Sequence, residues 1–453
     1  MSDETAHADA TTPADGISRR NVLRAVGAGA AFAGFGGLLQ ACSSIKGASS
    51  GTKGITIGWI HPLTGDLAGF GAADNWVISK IRQTSPYKNG FKVGGKTYSV
   101  TIKSYDSQSS VTRAGDLART AILTDNVDML FASSTPETVN AVSSEAETLG
   151  TPLVCSNIPW EAWYLNLFPK GNPADATEKA KYVVMYFLGA EHLAKCFIPM
   201  WNRIHAQLNT NKVVAAAFPN DSDGNAFRAV FPPIVEAAGY TFDMSSAYPD
   251  GTTNYTSMIS QFKADNADFF TNVPLPPDFA TMWHQSIQQG FRPKLATVAK
   301  VLLFPPDAYA LGPEAYNIAT DTWWVPTLPW KSTFTGENCQ TMANEFEAAT
   351  GGQWNANISN YSLFEVAHAA FTSVTDPHDK NEVANAIHQV NINALAGPLD
   401  FASGGPAPGV AITPPAGVQW QQGTGKYPLV MQIVDNTLLP EAKITADLLP
   451  TNT

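Results

Sequence analysis

Short apolar runs that alternate with helix-like segments constrain the fold of this 453-residue chain more than any other feature. The apolar runs have the length and composition of buried strands, and they lie at residues 55–60, 98–105, 129–132, 152–156, 212–218, 269–273 and 294–298. Segments with apolar residues at helical spacing lie at 111–124, 135–149, 226–238, 255–264 and 279–289. This alternation is typical of βαβ units, so we predict an α/β fold on parallel sheets.

The N-terminal region predicts export and lipid attachment. Arg19 and Arg20 precede an apolar stretch at residues 25–39 that is too short, and too rich in Ala and Gly, for a comfortable membrane span. The stretch resembles the core of a twin-arginine export signal, and Leu39-Gln40-Ala41-Cys42 resembles a bacterial lipobox. We therefore expect residues 1–41 to be a cleaved signal and the Cys42 thiol to carry the lipid.

Residues 42–54 are small and polar, as in a flexible tether between a lipid anchor and a folded body. The chain that remains after cleavage has about 410 residues, which exceeds one ordinary hydrophobic core and predicts two lobes. From residue 396 the sequence is rich in Gly and Pro, so we predict loop there, with one strand at 429–434.

Composition excludes several classes of function. The net charge of −11 argues against nucleic-acid binding. Cys155, Cys196 and Cys339 form no CxxC pair, and the eight histidines show no metal-ligand spacing, so we expect neither a metal nor another cofactor. The sequence has no Gly-x-Ser-x-Gly or HExxH motif, and we do not expect an enzyme.

Candidate binding residues follow the predicted strands, because ligands of open parallel sheets bind at the carboxyl ends of the strands. The first strand leads into a loop that contains Phe70, and the third leads into Ser134 and Thr135. The next strand leads into a run from Ser156 to Trp160 that includes Asn157 and Ile158. Hydroxyl groups that open a helix can hold a carboxylate, although Ser134 or Thr135 could equally cap its own helix.

Six short motifs together resemble the type I periplasmic solute-binding proteins of ABC importers, the Leu/Ile/Val-binding family for branched-chain amino acids. The resemblance covers nearly the whole chain after the signal. The motifs lie at residues 62–65 with 70–71, 133–136, 152–156, 220–224, 250–255 and 397–401.

The resemblance implies two doubly wound, Rossmann-like lobes of parallel sheet that are joined by a three-strand hinge. On this basis we expect lobe 1 to comprise residues 55–175 and 315–395 and lobe 2 to comprise residues 176–314 and 396–453. A ligand would be trapped as the lobes close about the hinge.

The resemblance also implies a function. The protein would capture a small organic solute, either an amino-acid-like compound or an aromatic or other organic carboxylate, and deliver it to the transmembrane subunits of an ABC permease. It would act as a monomer, anchored through Cys42 at the outer face of the cytoplasmic membrane or free in the periplasm. A ligand-sensing receptor of the same fold, feeding a signalling partner, is the alternative.

The resemblance also implies which residues hold the carboxylate and ammonium of an amino-acid ligand. The corresponding positions here are Ser134 with Thr135 at one strand exit, and Ser156 with Ile158 at the next. Other positions differ from relatives that bind branched-chain amino acids. Asp223 replaces an aromatic residue, Leu275 falls at a strand exit that carries a tyrosine in relatives, and Lys300 falls at or next to the acid that pairs with the ligand ammonium.

These differences leave two ligand chemistries open. If Lys300 faces the cleft, an organic anion fits, with Trp160 as an aromatic wall. If Asp223 faces the cleft instead, an amine, amide or amino acid fits better.

Overall fold

The computed structural model describes residues 53–403 and 405–451. The predicted export signal (residues 1–41), Cys42 and residues 43–52 of the predicted tether lie outside the described residues. Within the two described ranges, no helix combines the length and the apolar composition that crossing a bilayer requires.

Seventeen strands occur in the described ranges. In chain order they are β1 (Ile55–His61), β2 (Phe91–Val93), β3 (Lys96–Tyr98), β4 (Val100–Asp106), β5 (Met129–Ser133), β6 (Leu153–Ser156), β7 (Val183–Tyr186), β8 (Val213–Ala217), β9 (Thr241–Met244), β10 (Phe269–Asn272), β11 (Leu295–Val298), β12 (Ala319–Thr322), β13 (Asn391–Ala394), β14 (Gly397–Asp400), β15 (Val410–Ala411), β16 (Ala416–Gln422) and β17 (Leu429–Asp435).

Thirteen α-helices lie between these strands in the same ranges. They are α1 (Asp74–Gln83), α2 (Ser85–Asn89), α3 (Val111–Leu123), α4 (Pro136–Thr148), α5 (Trp160–Leu167), α6 (Ala190–Leu208), α7 (Ser222–Ala237), α8 (Thr256–Ala264), α9 (Pro276–Gln288), α10 (Pro305–Leu311), α11 (Cys339–Thr350), α12 (Tyr361–Ser373) and α13 (Lys380–Ile387).

Two large sheets organise the molecule. The first has the order β15-β7-β6-β5-β1-β4, and all of its strands are parallel. The second has the order β17-β16-β12-β11-β10-β8-β9, in which β16 pairs antiparallel with both of its neighbours, β12 and β17. The remaining strands are parallel. This architecture confirms the predicted α/β fold with parallel-strand sheets.

The chain crosses between the two sheets three times. β7 belongs to the first sheet, whereas the following helix α6 packs on the second through a hydrogen bond from Trp201 Nε1 to Thr297 Oγ1 of 3.1 Å. β12 belongs to the second sheet, and α12 then returns to the first, where Phe364 contacts Trp59 and Phe131 edge-on. The third crossing separates β15 from β16.

The crossings correct the predicted lobe boundaries. Residues 176, 315 and 396 were expected to begin new lobe segments, but β7, β12 and β15 keep the chain in its previous lobe for longer. Each of these strands has only two to four residues, so each gives a weak sequence signal. The C-terminal part also contains more strand than expected, since β14, β15 and β16 precede the predicted strand near residue 429.

Candidate functional site

A small cavity lies where the carboxyl ends of the two sheets face each other, with a volume of about 30 Å³. Thr135 and Asn157 contribute to it from the first lobe, and Asp223 and Lys300 contribute from the second. Phe187 and Leu188 reach it from the first crossing segment, and Asp321 reaches it from β12. The cavity is therefore formed by both lobes and by the connections between them.

Lys300 lies at the centre of a buried ionic cluster. Its Nζ is 2.6 Å from Oε1 of Glu137, 3.0 Å from Oδ2 of Asp223 and 3.3 Å from Oδ2 of Asp221. The Lys300 side chain is 3% exposed. The ammonium donates hydrogen bonds to Glu137 and Asp221, and Asp223 completes the ring of carboxylates around it as an ion-pair partner. Glu137 belongs to the first lobe and the other members to the second, so this cluster joins the two lobes.

Local structure explains how the carboxylates reach Lys300. Asp221 is the N-cap of α7, where its Oδ1 accepts a hydrogen bond from the Gly224 N–H at 2.6 Å, and Asp223 lies in the first turn of the same helix. Glu137 lies in the first turn of α4. Helix N-termini favour carboxylates, because the unpaired N–H groups and the helix dipole are positive there. Lys300 follows β11 with a φ of 68°, a left-handed conformation that is uncommon for lysine.

Burial and the charges of the cluster act in opposite directions on its ionisation. Burial raises the pKa of Asp223 to about 7 and that of Asp221 to about 6, despite the nearby ammonium. For Glu137, the Lys300 ammonium outweighs burial and holds the pKa below its usual range. The three carboxylates in turn keep the pKa of Lys300 well above its usual value. Lys300 therefore remains positively charged, whereas the three neighbouring acids differ in how readily they ionise.

Asp321 supplies a further carboxyl group to the cavity. It lies in β12, is 3% exposed, and its Oδ1 has no hydrogen-bond partner among the described residues. Burial raises its pKa to about 7. Asp223 is similar, because its Oδ1 also has no partner in that part of the chain while its Oδ2 contacts Lys300. Buried acceptors without partners are uncommon and carry a cost in free energy.

Five of the residues predicted for the site line this cavity: Phe70, Thr135, Asn157, Asp223 and Lys300. Asn157 has a φ of 63°, and its Nδ2 donates to Oδ1 of Asn357 at 2.9 Å. The Phe70 ring packs edge-on against Phe304 of the second lobe, with 4.9 Å between ring centroids. Lys300 and Asp223, which were treated as alternatives, both face the cleft and pair with each other.

The other five predicted residues lie outside the cavity lining. Ser134 is buried beside it, Ser156 donates to Oδ1 of Asn157 at 3.1 Å, and Ile158 packs in the core. Trp160 begins α5, and its Nε1 donates to Oε1 of Glu191 at 3.2 Å, so its ring does not form the expected aromatic wall. Leu275 precedes α9 and packs against the core. Successive side chains after a strand point in different directions, which explains why only some residues of each exit reach the cavity.

The sequence interpretation missed three acids of this region. Glu137 follows Thr135 by two positions, and Asp221 lies inside the motif at residues 220–224, so both were within reach of the argument about strand exits. Asp321 had no such signal, because Ala-Thr-Asp-Thr does not look like a buried strand. The apolar lining from Phe187, Leu188 and Phe227 was missed as well.

Two parallel-sheet lobes, three connections between them and a cavity at the strand ends together define a class of protein. Such molecules bind small ligands by hinge closure. In agreement, the family model described as periplasmic binding protein matches residues 54–424. The chain belongs to the periplasmic binding protein family.

A curated relative is the Leu/Ile/Val-binding protein homolog 7 of Brucella melitensis biotype 1. It is 22% identical over 289 residues, which cover 62% of this chain and 68% of that protein.

Solved structures share the fold. The leucine-binding protein LivK of Thermotoga maritima superposes with a TM-score of 0.64 at 17% identity, covering 83% of this chain and 98% of that one. LivJ of Streptococcus pneumoniae, in complex with isoleucine, gives a TM-score of 0.63 at 14% identity, with 84% and 100% covered. A solute-binding protein of Rhodopseudomonas palustris, in complex with 3,4-dihydroxybenzoic acid, gives 0.64 at 14% identity, with 88% and 98% covered.

Proposed function

We propose that this protein is the solute-binding component of an ABC importer, which captures a small organic solute between its lobes and delivers it to the permease subunits. The observation that carries the proposal is the interlobe cavity, to which both lobes contribute polar side chains. Membership of the periplasmic binding protein family supports it.

The size of the cavity indicates how a solute would reach it. A volume of about 30 Å³ accommodates one or two water molecules, whereas pockets for small organic ligands commonly measure about 300–1,000 Å³. A solute would therefore bind while the lobes are apart and be enclosed as they close. The contact between Lys300 and Glu137 must separate during opening, because it joins the two lobes.

The first test is a thermal-shift screen with amino acids, aromatic acids, short carboxylates, amides and amines. A solute that binds only the folded protein raises its melting temperature. Small-angle X-ray scattering should then show that the same solute makes the molecule more compact. If no solute in a broad library produces both effects, the proposed solute-binding role is wrong.

We also propose that the protein is exported through its twin-arginine signal and anchored by lipid at Cys42, at the outer face of the cytoplasmic membrane. The motifs at residues 19–20 and 39–42 support this proposal. Replacing Cys42 with Ala should release the protein from the membrane fraction, and replacing Arg19 and Arg20 with Lys should prevent export. A Cys155→Ala variant is the matched control, since that buried thiol should not affect membrane association.

A further inference from the structure

We propose that the solute is a compact organic amine: a cation with an apolar body and no carboxylate, whose ammonium group binds to Asp321 and Asp223. This inference rests on the proposed function, because it assigns a ligand class to the same interlobe cavity.

Hydrogen-bonding capacity in the cavity favours a donor over an acceptor. Oδ1 of Asp223 and Oδ1 of Asp321 are buried acceptors without a partner among the described residues. Both side chains are nine-tenths buried or more, and both line the cavity. An ammonium group carries up to three N–H donors and satisfies such acceptors, whereas a carboxylate adds only further acceptors.

Lys300 is not available as an anchor for a ligand anion. Its ammonium donates hydrogen bonds to Glu137 and Asp221 and lies 3.0 Å from Oδ2 of Asp223, so three carboxylates already surround it. Glu137 separates from Lys300 when the lobes open, but a ligand carboxylate that took its place would leave Glu137 buried and unpaired once the lobes closed. Breaking a buried ion pair in this way is strongly unfavourable.

The side-chain amide of Asn157, another donor at the cavity, is also occupied. The Asn157 Nδ2 group donates to Asn357 at 2.9 Å and lies 3.4 Å from Oδ1 of Asn360. The Thr135 hydroxyl has no partner in the described part of the chain, and it can accept as readily as donate. Of these side-chain donors, only the Thr135 hydroxyl is free for an anion, and a single neutral hydrogen bond compensates poorly for the lost hydration of a carboxylate.

Charge gives the same preference. The cavity and its ionic cluster combine four carboxyl groups, from Glu137, Asp221, Asp223 and Asp321, with one ammonium. A monocation reduces the resulting excess of negative charge, and a carboxylate increases it.

The body of the solute should be apolar. Phe187, Leu188, Phe227, Val273 and Leu303 line the cavity beside the acids. These side chains favour alkyl or aryl groups, and the aromatic rings also attract a cation.

Isothermal titration calorimetry on the full-length chain in detergent tests the proposal with probes that share a body and differ in charge. The first set is isobutylamine, valine and isovalerate; the second is phenethylamine, phenylalanine and 3-phenylpropionate. A panel of C3 to C10 monoamines and diamines extends both sets. We expect an amine to bind at least about 10-fold more tightly than the amino acid and the acid with the same body, as one lost charge-assisted interaction would produce. Tighter binding of an amino acid or acid, or no binding by any amine, overturns the proposal.

Asp321→Asn should weaken amine binding about 10- to 100-fold while keeping the shape of the side chain. Asp307→Asn is the matched control, because burial also raises the pKa of Asp307, to about 6, but this residue lies outside the cavity. Asp223→Asn is the second variant and should also weaken binding. Circular dichroism establishes that each variant is folded. Unchanged amine affinity in a folded Asp321→Asn variant refutes the assignment.

The two proposals fail in different ways. If an anionic or neutral solute closes the lobes, the amine assignment is wrong and the solute-binding role is retained. If no solute in the broad library closes them, the solute-binding role itself fails.

Discussion

Replacing Lys300 with Met tests whether the ionic cluster stabilises the folded protein. Methionine keeps an unbranched side chain, so the strain of the 68° φ angle is nearly the same in both proteins. The substitution leaves Glu137, Asp221 and Asp223 as neighbouring acids without a cation. Removing one partner of a buried ion pair costs about 3–5 kcal/mol, and we expect a loss in this range at pH 8.

The loss should depend on pH in a definite direction. Asp221 and Asp223 already have pKa values raised to about 6 and 7, and removal of Lys300 raises them further because its charge lowers both. In the folded variant these acids bind protons that the unfolded chain, with ordinary carboxyl pKa values, does not bind. The variant is therefore stabilised relative to the wild type as the pH falls, and the difference between them should shrink to about half or less at pH 5.

Guanidinium denaturation followed by fluorescence of the buried tryptophans measures this difference at pH 5 and pH 8. For about 400 residues, a loss of 3–5 kcal/mol also lowers the melting temperature by about 4–6 °C. Lys80→Met is the matched control. Lys80 likewise contacts two acids, Glu337 and Glu345, but its side chain is 16% exposed, so its loss should cost about 1 kcal/mol.

The reasoning is refuted if Lys300→Met is no more destabilising than Lys80→Met at pH 8. It is refuted equally by a loss at pH 5 as large as that at pH 8.

Three further substitutions give separate tests. Gly224→Ala should destabilise the protein by about 1–3 kcal/mol in denaturant titrations and weaken solute binding, because a Cβ would lie 2.0 Å from the Pro219 carbonyl oxygen and displace the start of α7. Trp160→Phe should lower the free energy of unfolding by about 1 kcal/mol, because the hydrogen bond to Glu191 is lost. The preference between aromatic and aliphatic solutes should not change. A selective loss of binding to aromatic solutes in calorimetry contradicts the position of Trp160 outside the cavity. Asp321→Asn should become more stable relative to the wild type as the pH rises from 4 to 8, by up to about 4 kcal/mol. The reason is that the folded wild type must ionise a buried carboxyl group whose pKa is raised to about 7. Melting curves across this pH range that show no relative gain contradict the burial argument.

The parallel sheets could be predicted from sequence because their central strands are apolar on both faces. All five residues of Met129–Ser133 are buried, as are all four of Leu295–Val298. A strand covered by helices on both sides needs no alternation of polar and apolar residues, so a short apolar run is a reliable signal there. Glycine also marks the ends of α4, α7 and α9, since Gly150, Gly239 and Gly290 follow these helices with φ angles of 65°, 82° and 75°.

β12 shows why other elements could not be predicted. Ala319–Thr322 contains two threonines and an aspartate, yet all four residues are buried. Its position depends on pairing with β11 on one side and β16 on the other, partners that are distant in sequence. Local patterns carry no information about such pairing, so the lobe boundary near residue 315 was placed too early and Asp321 was missed.

The strand exits located the cleft but not the directions of the side chains. Thr135 lines the cavity while its neighbour Ser134 does not, and Asn157 lines it while Ser156 and Ile158 do not. The direction of each side chain depends on backbone angles such as the 63° φ of Asn157, which the sequence does not specify. The positions of the strand exits therefore located the lining of the cavity to within about one residue. That precision does not identify which side chains contact a ligand.

The pairing of Lys300 with Asp223 changes the ligand argument that the sequence allowed. The sequence argument considered each residue alone, so that Lys300 favoured an anionic ligand and Asp223 favoured an amine. A buried lysine needs carboxylate partners, however, and three acids supply them within 3.3 Å. Once Lys300 is satisfied from within the protein, it no longer contributes free positive charge to the cleft. The unpartnered carboxyl oxygens of Asp223 and Asp321 then determine the preference, and they favour a cation.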